Sequence, residues 1–107
     1  MVLKKKRKKM KFVVTPQEKA RQGGARVAQE IAIDTYDPND MEENAHYMRC
    51  LQKWAISDYE KEKANRKCVE DSDYQKYELE DICFEALLGE YKRLEELYTK
   101  RRESKTI

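Results

Sequence analysis

Large aliphatic side chains are scarce in this sequence. Leu, Ile, Val and Phe fill 19 of its 107 positions, below the roughly 20% at which a chain usually offsets the entropy of folding alone. Glycine and proline are scarcer still, at three and two residues. A phosphate-cradling loop is thereby excluded, because Gly23-Gly24 lacks the third glycine and the flanking strand of a dinucleotide fingerprint. The three cysteines, Cys50, Cys68 and Cys83, are an odd number with no C-x-x-C spacing. They form no disulfide framework, and free thiols in a reducing compartment are expected. Histidine occurs once, as His46. No apolar run is long enough for a membrane span or a signal-peptide core.

Charge is what the chain has in abundance, at 41% of residues. The net of +2 conceals an asymmetry. Residues 1–26 hold ten Lys or Arg against one acid, a net of +9, and residues 27–107 hold 13 against 20, a net of −7. Many charges of both signs suit solvated helices with i,i+4 pairs. The polarity predicts that the two ends meet different partners: a polyanion at the basic end, basic protein surface at the acidic one.

Along the chain, residues 1–14 form a basic arm. Thr15-Pro16-Gln17-Glu18 then starts a helix expected over 15–34, with a threonine cap, proline in the first turn and an acid three residues on. Ala20, Val27, Ala28, Ile31 and Ala32 would share one side. Gly23-Gly24 should break that helix or admit another backbone. Residues 35–40 form a linker around Pro38, and Asn39 or Asp40 caps the next helix. From Met41 to Leu88 there is neither glycine nor proline. The expected element is a helix over 41–102, either single and kinked near Ser72 or folded into a hairpin there. The weak turn signal favours the single helix; 103–107 is a tail. The fold class is therefore all-α, without an independent globular core.

Within the long helix Tyr77, Phe84, Tyr91 and Tyr98 recur every seven residues, with Leu87 and Leu94 three after two of them. This a/d-like stripe, with Trp54, is the expected partner-docking surface. Tyrosine hydroxyls need partners, so a heterologous surface fits better than a dry homodimer seam. A helical protein partner is one candidate.

Chemistry needs convergent polar groups in a pocket, and an elongated helix offers none. His46 and Cys50 stand at i,i+4, which resembles a base beside a thiol. Such neighbours occur in every helix, and no third group orients the pair. The same two residues fall short of a zinc set. The acids Glu42, Glu43 and Asp71 read as solvated caps. No enzyme, metal or cofactor is expected. The arm is different. Lys4, Lys5, Lys6, Arg7, Lys8, Lys9 and Lys11 suit phosphate neutralisation on RNA, largely independent of sequence. The same run also suits a nuclear localisation signal, an anionic membrane surface or an organellar targeting segment.

The Lys-rich start, Leu51-Gln52-Lys53-Trp54-Ala55, Tyr59-Glu60-Lys61-Glu62, Phe84-Glu85-Ala86-Leu87-Leu88 and Leu94-Glu95-Glu96-Leu97 together resemble the mitochondrial large-subunit ribosomal protein family numbered forty. The resemblance implies a structural, non-catalytic role, a mitochondrial address, and ribosomal RNA and neighbouring ribosomal proteins as partners. The alternative is a coiled-coil adaptor or regulatory subunit of a protein complex, nuclear or cytoplasmic, with the basic run as a nuclear signal.

Overall fold

The computed structural model describes residues 14–67 and 70–105. The expected all-α class holds for them. Helix α1 spans Pro16–Thr35, α2 Met41–Ala64 and α3 Asp71–Lys105. Two of the starts are those the sequence marks. The Glu18 amide donates to Thr15 Oγ1 at 3.1 Å, and the Glu43 amide donates to Asp40 Oδ1 at 3.0 Å. Glu18 does not complete a capping box; its carboxylate instead takes Arg21 and Gln22. Between α1 and α2, Asn44 pins the linker. Its side chain donates to the Asp37 carbonyl at 2.8 Å and accepts from the Asp37 amide at 2.9 Å. These bonds satisfy an amide that is only 3% exposed.

The interval 41–102 is a hairpin, not the favoured single helix. The chain leaves α2 at Asn65 and enters α3 at Asp71, so the break falls before Ser72. At the new start the Asp73 carboxylate accepts from the Glu70 amide at 3.1 Å, which satisfies one otherwise orphaned donor. Helix α2 runs antiparallel to α3: Tyr59 stacks on Phe84 near the turn, and Gln52 reaches Glu95 further along. Helix α1 runs parallel to α3, as Gly24 meets Cys83, Gln29 meets Glu90 and Tyr36 meets Tyr98 in succession. Thus α3 is the spine against which both other helices pack.

Gly23-Gly24 does not break α1. It lets α1 approach closely: a Cβ on Gly24 would stand 2.1 Å from the Cys83 carbonyl oxygen and 3.2 Å from the Ala86 Cβ, whereas Gly23 faces open space. The expectation that the chain lacks its own core gives way to a small shared one. Ala28, Ala32, Met41, Ala45, Met48, Tyr91, Leu94 and Tyr98 are buried together, with Ile31, Tyr47, Leu51, Leu87 and Leu97 against them. Leu94 is the only Leu, Ile, Val or Phe among the described residues that is buried. Alanine lets helices come close, and flexible methionine fills what remains.

Candidate functional site

The seven basic residues assigned to RNA, Lys4 to Lys9 and Lys11, lie outside the described residues. The docking stripe does not. Its six members turn inward on their own chain, which corrects the expectation of an external partner. Tyr91, Leu94 and Tyr98 are 3%, 7% and 5% exposed. Leu87 packs against that core. Phe84 stacks on Tyr59, with centroids 4.1 Å apart and planes at 6°. The Tyr77 hydroxyl donates to the Lys67 carbonyl and accepts from its amide. Seven-residue spacing groups residues on one face; here α1 and α2 cover that face. Trp54 alone of the assigned docking residues stays outside, at 58% exposed and edge-on to Tyr47.

The hairpin tip holds a polar cluster that sequence reading misses. The Arg66 guanidinium stands 5.2 Å from the Tyr59 ring centroid and 4.6 Å from that of Tyr77. It donates to Asp81 at 2.9 Å and to the Tyr59 hydroxyl, which itself donates to Asp81. Glu80 is within 3.5 Å of the same Arg66 nitrogen. Burial, then the bond to Asp81, pushes the Tyr59 phenol up to about 12. Hydrogen bonds from Tyr59 and then Arg66 hold the Asp81 carboxyl below its ordinary value. The cluster closes the hairpin, and its Tyr59 and Asp81 also line an open hollow of about 270 Å³ with Ile56, Glu60, Lys63, Phe84 and Glu85. Its sequence signal is faint: Tyr59 and Arg66 are seven apart, but nothing local points to Asp81.

His46 Nε2 lies 3.6 Å from Cys50 Sγ on the outer face of α2, and no third side chain among the described residues orients the imidazole. Among the described residues no group of His, Cys, Asp and Glu could hold a metal ion, and no helix is long and apolar enough to cross a membrane.

Sequence reading also misses a groove between α1 and α3. Gln29, Ala32, Ile33, Tyr36, Leu94 and Tyr98 line about 350 Å³ of almost wholly apolar space. Ile33 is 73% exposed. Gln29 donates to Glu90 at 2.9 Å, and the hydrogen bond from Arg93 keeps the Glu90 carboxyl below its ordinary value. Periodicity assigns Ile33 no face, because α1 also carries Ala28 and Ala32 toward the core. No family model, curated protein or solved structure matches the chain.

Proposed function

We propose that this chain is a non-catalytic structural component of a ribosome, mitochondrial in address, or of a related ribonucleoprotein. The basic arm holds RNA and the helical body docks on neighbouring protein. One observation carries this reading: a net of +9 over residues 1–26 beside a net of −7 over residues 27–107. A dense cationic run binds a polyphosphate by releasing its counterions, while an acidic body is repelled by the same backbone and turns to protein. The mitochondrial address rests on the resemblance alone, carried by the Lys-rich start and the helical segments. The adaptor alternative relies on the aromatic stripe as an interhelical seam, and that stripe is occupied within the chain.

The test is co-sedimentation with ribosomal subunits through a salt series. Replacing Lys4, Lys5, Lys6, Arg7, Lys8 and Lys9 by Gln should release the chain at lower salt. The log–log slope should flatten by roughly four, at about 0.7 per single-strand phosphate contact. An unchanged slope removes RNA as the arm's ligand.

A further inference from the structure

We propose that His46 and Cys50 form half of a zinc site that a second copy of this chain completes, with the two α2 helices antiparallel across the ion. The inference goes beyond the assembly role and stands without it.

The bite of the pair comes first. His46 Nε2 and Cys50 Sγ are 3.6 Å apart. Zinc bonds of about 2.1 Å to an imidazole nitrogen and about 2.3 Å to a thiolate, at a tetrahedral angle, set nitrogen and sulfur about 3.6 Å apart. The two side chains thus already span two corners of a zinc tetrahedron. Imidazole and thiolate are donors that this metal takes readily. Spacing of i,i+4 does not give this by itself, because it fixes neither the rotation of the ring nor which nitrogen faces the sulfur.

Completion of the site then selects the partner. A structural zinc takes four protein ligands, and the described residues of one chain bring no third ligand to the pair. His46 and Cys50 each stand two residues from Met48, hence about 200° round the helix from it. Met48 is buried at 1% exposure, so the pair points away from the core and its two open corners face outward. A two-fold axis through the ion brings in the same pair again and makes the contact self-complementary. With the α2 helices antiparallel, that axis crosses them level with residue 48. It sets residue 43 of each copy against residue 53 of the other, five residues or about 7.5 Å from the axis. These are Glu43 and Lys53, both exposed, so the opposite-charge contact occurs twice. Parallel helices would instead set Glu43 against Glu43 and Lys53 against Lys53, which like-charge repulsion disfavours.

Sedimentation equilibrium of the full chain, reduced and stripped of metal, tests this with Zn²⁺ alone. Zn²⁺ should saturate the chain at one ion per two copies at roughly micromolar concentration, and the 12.8 kDa mass should double. Each Cys50 gives its thiol proton to solvent as its Zn–S bond forms. His46→Ala and Cys50→Ser should each abolish the zinc-dependent doubling, whereas Cys83→Ser should leave it intact. Lys53→Glu should weaken the dimer about tenfold or more, and adding Glu43→Lys should restore it. Circular dichroism should show the variants at positions 43, 46, 50 and 53 folded, since these side chains lie off the core. No Zn²⁺ taken up at that concentration means a hydrogen-bonded pair only and overturns the proposal. One ion per chain with the mass unchanged overturns the second copy. Doubling that survives His46→Ala overturns the site, and a charge swap that restores nothing overturns the antiparallel arrangement.

Discussion

The two ends of the α2–α3 hairpin are held by different chemistry. At the linker end three helices meet over Met41, Met48, Tyr91, Leu94, Tyr98 and alanines, and the interior is apolar. At the turn end Tyr59, Arg66, Tyr77, Asp81 and Phe84 close α2 on α3 through stacked rings and a charged hydrogen-bond network. The first kind of contact does not change between acid and neutral pH, because its only titrating groups, Tyr91 and Tyr98, are phenols raised by burial. The second depends on protonation states, and its exposed members are screened by solvent. A chain poor in aliphatic residues can complete one apolar core and must use aromatic and ionic contacts elsewhere.

The largest effect should come from the apolar end. Met48 is 1% exposed, and Met48→Ala should cost about 2–5 kcal/mol. Thermal unfolding followed by circular dichroism should show all three helices lost together at lower temperature. If only α2 responds, the core is not shared.

Next come the two glycines of α1, which separate packing from propensity. Gly24→Ala places a methyl group against a backbone carbonyl that cannot rotate away. Its gain in helix propensity, about 1 kcal/mol, should be outweighed by an overpacking cost of about 1–3 kcal/mol. Gly23→Ala meets nothing and should stabilise by about 0.5–1 kcal/mol. Chemical denaturation of both variants checks the pair; equal signs would mean that α1 does not cross α3 at Gly24.

The smallest effect on global stability, and the most local, belongs to the turn end. The Asp81 carboxyl is lowered, so the fold favours its ionised form. That contribution is present above the ordinary carboxylate range and lost as pH falls through the lowered value. The Tyr59 phenol is raised to about 12, so the fold favours its neutral form. That contribution is whole below the ordinary value near 10 and lost as pH rises through 12. Amide protection factors around Tyr59 and Asp81 should therefore fall in acid while those around Met48 and Tyr91 do not. Arg66→Met should quicken the same tip amides at neutral pH. Tyrosinate absorbance should show the Tyr59 phenol titrating late, beside Tyr91 and Tyr98, which burial also raises. Uniform exchange changes along the hairpin would erase the distinction between its ends.

Much of this architecture is written locally. Thr15, Pro16, Asp37 and Asp40 mark the start of α1 and the linker because caps and turns are chosen by neighbouring residues. The Gly23-Gly24 pair admits another backbone for the same reason. The break between α2 and α3 is harder to see, since no glycine or proline stops α2 at Ala64. Arg66 instead folds back between Tyr59 and Tyr77 and bonds Asp81, a partner 15 residues away. Counting Leu, Ile, Val and Phe underestimates the core, because Ala, Met and Tyr do the packing. The stripe from Tyr77 to Tyr98 shows which residues share a face, but spacing does not say whose surface covers that face. Of the docking site, only Trp54 is legible as exposed; the groove at Ile33 exists only once α1 lies beside α3.

The parallel course of α1 along α3 has a mechanical side. The basic arm continues from the N-terminal end of α1, at the end opposite the covalent linker pinned by Asn44. Tension on the arm directed along the helix axis loads every α1–α3 contact together, from Gly24 to Tyr36, in shear. Tension across the axis loads the Gly24 crossing first and peels α1 from there toward the linker. The angle at which an anchored arm leaves the body thus decides whether α1 stays seated under load, and with it whether the groove at Ile33 survives.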